Sequence, residues 1–234
     1  MNVDVVLHAG LLPDYDLKGK TVVVIDAFRA TSVIVEGLYN RGASFVPVES
    51  VDEARSAKEQ NAEILIGGER DGVLIDGFDL DNSPLSYIPE KVAGKEIWIT
   101  TTNGTRALKG AIAASQIYVG AFLNLFAVAR QVVGVKDVVF VCSGSENQVS
   151  LEDSVCAGGI LYEMELLAYI SYSDVAYMLK SLYTANRQNL KEFLSKGTHY
   201  QYLADKGFIA DIDFCLQVNK RNVVPSFDGT TIRV

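Results

Sequence analysis

Histidine is almost missing from this chain of 234 residues: there are only His8 and His199, far apart in sequence. The three cysteines, Cys142, Cys156 and Cys215, are just as scattered. Neither set has zinc-ligand spacing, and an odd number of dispersed thiols argues against a disulfide framework. Positive charge is also short. Lys and Arg number 21 against 29 Asp and Glu, a formal net charge of −8, which disfavours a nucleic-acid backbone as partner. No apolar run approaches the ~20 residues of a membrane helix. Met1-Asn2-Val3-Asp4-Val5 lacks the basic start of a signal peptide. The expectation is a cytoplasmic protein with reduced thiols, no nucleic-acid or membrane partner, and freedom to form a homodimer.

What is present is ordinary for a soluble globular chain: 49% hydrophobic and 21% charged residues. The length suits one domain spanning residues 1–234. Short runs rich in Val and Ile alternate with helical segments. The strands expected are Asp4–His8, Thr21–Asp26, Ser44–Val48, Ile64–Gly67, Glu96–Thr100, Gln116–Val119 and Asp137–Cys142. The helices expected are Thr31–Tyr39, Asp52–Gln60, Ser86–Val92, Thr105–Ala114, Leu123–Val133 and Leu151–Leu167. Ser50-Val51-Asp52-Glu53 reads as a capping box. Continuous apolar strands between helices predict a three-layer α/β/α fold with a mainly parallel or mixed sheet. The C-terminal part is more irregular. Asn222–Pro225 and Thr230–Val234 read as short edge strands around an Asp228-Gly229 turn.

Ligands of open α/β sheets bind beyond the carboxyl ends of the strands. Here those ends carry Asp26 and Arg29, then Glu69 and Arg70, then Thr100 to Arg106, then Ser143, Gly144, Glu152 and Asp153. One rim collects carboxylates, arginines and hydroxyls. Because the chain is acidic overall, an anionic ligand needs local arginines or a metal to invert the field.

The segment Ile97-Trp98-Ile99-Thr100-Thr101-Thr102-Asn103-Gly104-Thr105-Arg106 reads as a strand that runs through a hydroxyl-rich turn into a helix. Thr101, Thr102, Asn103 and Thr105 offer donors, Gly104 lets backbone approach, and Arg106 adds charge. This is the chemistry of an oxyanion site, although Thr and Asn are also ordinary N-caps. Asp26 ends a buried strand, where a carboxylate is costly unless paired or metal-bound. It reads as a Mg2+ ligand, or as a partner of Arg29 or a helix cap. Glu69 and Asp153 are the other metal candidates. Their competing readings are an ion pair with Arg70 and a capping box opened by Ser150. Asp79, between Phe78 and Leu80, is expected to be drawn inward and to line the site with Asn82 and Ser83, or to cap the helix near Pro84. Asp81 is expected on a solvated loop.

The motifs V-V-V-I-D-A-F-R-A-T (Val22 to Thr31), G-G-E-R (Gly67 to Arg70), I-D-G-F-D-L-D-N-S-P (Ile75 to Pro84), T-T-T-N-G-T (Thr100 to Thr105), V-C-S-G (Val141 to Gly144) and S-L-E-D-S-V-C-A-G (Ser150 to Gly158) occur in this order. Together they resemble the 2-phosphosulfolactate phosphatase (ComB) family, from about Val22 to the C-terminus. The resemblance implies Mg2+-dependent hydrolysis of 2-phospho-3-sulfolactate, a small anionic phosphoester, to sulfolactate and phosphate on a route toward coenzyme M. In that reading Asp26, Arg29 and Asp79 are catalytic. Asp26, Glu69 and Asp153 hold the metal. Thr101 to Thr105 and Arg106 hold one oxyanion and Arg29 the other, with Asn82, Ser83 and Ser143 also lining the substrate. The alternatives are a phosphatase of another small acidic phosphoester and a non-catalytic oxyanion-binding module.

No motif singles out a nucleophile, and the residues leave covalent and direct water attack both open. The strand ending in Asp26 is similar to the nucleophile strand of haloacid-dehalogenase phosphatases, but those need an acid two residues later, where Phe28 stands. Cys142 and Cys156 read as small buried hydrophobes. His199, beside Tyr200 and Tyr202, reads as a surface or packing residue. That favours water activated by a metal. Phosphate-monoester hydrolysis demands accelerations up to ~10²¹, and an exposed helix terminus contributes only about 1 kcal/mol.

Overall fold

The computed structural model describes residues 1–234. The run Val22-Val23-Val24-Ile25 forms β2 (Thr21–Ile25), all of it buried. A strand with no solvent face must be covered on both sides. Its alternate side chains do enter two different cores. Val22 and Val24 join Val139 and Val141 against α1 (Ala30–Tyr39) and α4 (Gly104–Gly110). Val23 and Ile25 join Phe140 and Cys142 against α5 (Leu125–Val132), α6 (Leu151–Glu165) and α7 (Asp174–Asn186). The result is a three-layer α/β/α arrangement around an 11-stranded sheet.

The sheet is built from two parallel blocks. In the first, β2 lies between β7 (Gln116–Gly120) and β8 (Asp137–Cys142), followed by β1 (Asn2–Val6) and β9 (Ser171–Tyr172). In the second, β6 (Glu96–Thr100) lies between β3 (Ser44–Pro47) and β4 (Leu65–Arg70), with β5 (Val73–Leu74) antiparallel at the edge. Between the blocks sits a C-terminal hairpin, β10 (Ser226–Phe227) and β11 (Ile232–Arg233). These strands were expected at an edge and stand in the middle. Phe227 and Ile232 explain this, being 3% and 0% exposed, as each supplies core that an edge would leave wet. Asp228 holds the turn, accepting from the Thr230 and Thr231 N–H groups at 2.8 and 2.7 Å.

The hairpin pairs antiparallel with β7 on one side and β3 on the other. The two blocks therefore run in opposite senses. The carboxyl ends of β4, β6 and β2 nevertheless meet: Thr102, just past β6, donates to Glu69 of β4, Gly104 packs against Asp26, and Arg29 donates to Gly72 O.

Several boundaries differ from expectation. Ser86–Val92 is a 3₁₀ turn (Pro84–Ser86) followed by α3 (Pro89–Val92). Ile88, preceding Pro89, is extended, as the proline ring demands. Helix α4 stops at Gly110, not Ala114. β1 begins at Asn2 and ends at Val6, while β4 runs on to Arg70. α2 (Val51–Gln60) has the expected cap, with the Glu53 N–H donating to Ser50 Oγ at 3.1 Å. The C-terminal third folds into α8 (Leu190–Leu194), α9 (Thr198–Asp205) and α10 (Ile209–Cys215). No helix is long and apolar enough to cross a membrane.

Candidate active site

Asp26 leaves β2 as its first residue beyond the ladder, and Thr31 fixes its backbone. The Asp26 N–H donates to Thr31 Oγ1 at 3.1 Å, and Thr31 Oγ1 donates to Asp26 O at 2.9 Å. The side chain points at the start of α4. A Cβ added to Gly104 would sit 2.9 Å from Asp26 Oδ2, so only glycine leaves room for this carboxylate. Burial pushes the Asp26 carboxyl up to about 6; His199 pulls it down, while Glu69 and Glu152 push it further up.

Asp153, in the first turn of α6, joins two loops. Its Oδ1 accepts from Ala27 N–H at 2.7 Å and its Oδ2 from Gly144 N–H at 3.0 Å. Burial, then the charges of Asp26 and Glu152, hold this carboxyl well above the usual range despite those bonds. Glu69 is more fully committed. Its Oε1 accepts from Thr102 N–H and Oγ1 at 3.0 and 2.9 Å, and its Oε2 from Gly72 N–H at 2.8 Å.

Glu152 was expected on the rim but given no role there, and His199 was expected to be a surface or packing residue. Glu152 is 2% exposed, and its Oε1 lies 2.5 Å from His199 Nδ1. Burial pulls the imidazole pKa down, but the bond to Glu152 and the charges of Glu152 and Asp26 outweigh it, and the net shift is upward. His199 therefore belongs to the acidic cleft. Its aromatic neighbours gave no hint of this, because the partner stands 47 positions away.

Arg29 is almost fully buried. Its Nη1 donates to Asp211 Oδ2 at 2.7 Å, its Nη2 donates to Gly72 O at 2.7 Å, and its guanidinium lies 4.2 Å from the centre of the Phe208 ring. Two of its five N–H donors are thus taken. Asp211 Oδ1 accepts from Ser83 Oγ at 2.6 Å. Asp211 was also not foreseen; it shares a short helix with Asp213 and has no motif around it.

The threonine turn is largely closed on itself. The Thr101 N–H donates to Thr105 Oγ1, and the Thr105 N–H to Thr101 Oγ1, both at 3.2 Å. Thr102 is bound to Glu69, so a protein carboxylate occupies donors expected to face a ligand. Asn103 is half-buried at the N-cap without a side-chain cap bond. Arg106 is exposed and donates to Asn147 Oδ1 at 2.7 Å. Arg70 donates to Thr100 Oγ1 and to Glu69 O. Ser143 Oγ and Asn82 Oδ1 are buried without a partner.

Asp79 lies outside this cluster and is exposed. It accepts from Ile66 N–H at 2.9 Å and pairs with Lys58 Nζ at 3.1 Å. Its neighbours Phe78 and Leu80 are the buried ones, and the chain bends at Asp79, which stays exposed. The three cysteines are buried free thiols. Burial pushes the thiols of Cys142 and Cys156 well up, and that of Cys215 to about 12.

An α/β fold that gathers Asp26, Glu69, Glu152, Asp153, His199 and Arg29 at its strand ends is here that of a phosphoric monoester hydrolase, the class to which its relatives' names point. A family model described as 2-phosphosulpholactate phosphatase matches residues 7–230. The chain is 43% identical to a probable 2-phosphosulfolactate phosphatase of Caldanaerobacter subterraneus, over 94% of this chain and 92% of that protein. It is 36% identical to one of Clostridium tetani over the full length of both, and 39% identical to one of Clostridium perfringens over 100% and 96%. The chain belongs to the 2-phosphosulfolactate phosphatase family.

Proposed function

We propose that this protein hydrolyses 2-phospho-3-sulfolactate to sulfolactate and phosphate, that it requires Mg2+, and that the reaction serves a coenzyme M type of route in a cytoplasm. The observation that carries the reading is the pair Asp26 and Asp153. Both are buried, Asp26 pushes the pKa of Asp153 up, and neither forms an ion pair with Lys or Arg.

A hard divalent cation suits such a pair. No three acidic, His or Cys side chains are close enough to form a closed metal cage. Mg2+ does not need one, since it takes one or two carboxylates together with waters and phosphate oxygens. Asp26 and Asp153 would hold it, since Asp153 keeps two of its four lone pairs and Glu69 only one. Bound there, the cation would neutralise the phosphate and position it beside water.

The chain's own residues account for the rest. Glu152 holds His199 Nδ1 and leaves Nε2 as the position that passes a proton to the departing ester oxygen. Arg29, fixed by Asp211 and Gly72 O, supplies positive charge in a water-poor setting, where it acts most strongly. The buried free thiols suit a reducing compartment.

The test is phosphate release from 2-phosphosulfolactate and a panel of small acidic phosphoesters, with added Mg2+ and after exhaustive EDTA treatment. Release from the sulfonated substrate that vanishes with EDTA is expected. No release from any ester would make the cleft a binding module.

A further inference from the structure

A row of side chains crosses the sheet just beyond the strand ends. The register pairs Val6 with Val141 and Val141 with Val24, and all three valines face the same core. Strand alternation brings His8, Ser143 and Asp26 onto that face two residues later. The ladder persists that far. The Ser143 N–H donates to Ile25 O at 2.7 Å and the Ala9 N–H to Ser143 O at 3.1 Å. His8 itself is extended, with φ −157° and ψ 151°. Adjacent strands lie about 4.8 Å apart, so Ser143 has Asp26 on one side and His8 on the other.

Two polar atoms in this row have no partner. Ser143 is 5% exposed, and its Oγ is buried and unbonded. His8 Nδ1 is also buried and unbonded. Such atoms are costly unless something binds them. The corner beyond His8 is packed closely enough to require glycine. A Cβ on Gly10 would come 3.0 Å from His8 Nδ1 and 2.5 Å from Asn147 Oδ1. Asn147 in turn holds the exposed Arg106, which keeps donors free for an anion.

We infer that Ser143, His8 and Arg106 form a second oxyanion subsite beside Asp26, which takes the sulfonate while the phosphate lies at Asp26. The inference rests on the phosphatase reading above and deepens it. Three donors aligned away from the acidic centre suit the three oxygens of a sulfonate better than the two of a carboxylate. His8 stands on the far side of Ser143 from Asp26, which puts this donor one strand further from that carboxylate.

The experiment compares kcat/KM for 2-phospho-3-sulfolactate with that for 2-phospholactate, which has a methyl group in place of the sulfonate arm. Ser143→Ala, His8→Ala and Arg106→Gln should each lower the ratio of the two values about tenfold, mainly through KM of the sulfonated ester. His8→Asn, which keeps a donor near the Nδ1 position, should recover part of the loss. Arg106 is exposed, so its variant tests the subsite even if a buried variant fails to fold. Equal losses on both esters, or no loss on either, would overturn the subsite. Should the wild-type protein hydrolyse neither ester, the phosphatase reading fails by itself. Calorimetric binding of sulfolactate then decides the subsite: it stands if Arg106→Gln weakens binding and falls if binding is absent or unchanged.

Discussion

Glu152 Oε1 meets His199 Nδ1 at 2.5 Å, and this contact ties α9 of the C-terminal third to the first turn of α6. A buried carboxylate that holds one imidazole nitrogen fixes which nitrogen is left for chemistry. Glu152 therefore orients His199 and raises its affinity for a proton.

Glu152→Gln should move the pH profile. With the carboxylate gone, the bond and the charge that raise the imidazole pKa are lost, and the pKa falls. The limb of kcat/KM governed by His199 should shift to lower pH, and His199→Ala should abolish that limb. An unchanged profile in Glu152→Gln would remove His199 from the chemistry.

Asp26→Asn keeps the shape and removes the charge. If Asp26 holds Mg2+, apparent metal affinity and turnover should fall together, each by about tenfold or more, and excess Mg2+ should restore part of the rate. Were Asp26 only a helix cap, Asn would serve nearly as well. Turnover across a Mg2+ titration separates the two, and a near-normal rate at every concentration refutes the metal role.

Stability should rise on mild acidification in metal-free buffer. Asp26 keeps its proton up to about pH 6 in the fold, whereas an unfolded carboxyl titrates near ~4. Its contribution is complete below that lower value and is lost as pH rises through about 6. His199 is also raised, so its contribution is present below the ordinary imidazole value and is lost as pH climbs through the raised one. For Asp26 the difference amounts to something on the order of 3 kcal/mol. The unfolding midpoint should be higher near pH 5 than near pH 7.5, with a shallower slope in Asp26→Asn. Because protons and Mg2+ compete for the same oxygens, added Mg2+ should raise the midpoint more at the higher pH. Equal shifts at both would count against that competition.

Asp211→Ala should destabilise the fold strongly. It leaves the Arg29 guanidinium buried with one partner fewer and Ser83 Oγ without its acceptor. Breaking a buried ion pair from one side costs about 3–5 kcal/mol. Urea unfolding provides the measurement, and a loss below about 1 kcal/mol, typical of exposed pairs, would show that the pair is solvated in solution.

Much of the fold is legible in local pattern. The Val22–Ile25 run announces a strand buried on both faces, and it sets Asp26 at a stiff, well-defined strand end. The Ser50–Glu53 box and the long α6 pattern are read as easily, because capping and periodicity are properties of neighbouring residues. Asp79 shows where this reading fails. Buried Phe78 and Leu80 suggest that the acid between them is drawn inward, but the chain bends at Asp79, and Lys58 receives its carboxylate at the surface. The threonine turn shows a subtler failure. Its donors are real, but Glu69 and the turn itself take up most of them.

The sequence by itself determined which strands are buried, which acids stand at their ends, and the family to which the motif order points. The tertiary structure alone decided that a two-stranded C-terminal hairpin enters the middle of the sheet and reverses the sense of one block. It alone brought His199 to Glu152, and Asp211 to Arg29 across 182 positions. The reason is physical. Periodicity records whether a side chain is covered, but not by what. The covering partner is chosen when helices and strands distant in sequence pack to bury the remaining apolar surface, and the cleft takes its charges from whichever residues that packing brings together.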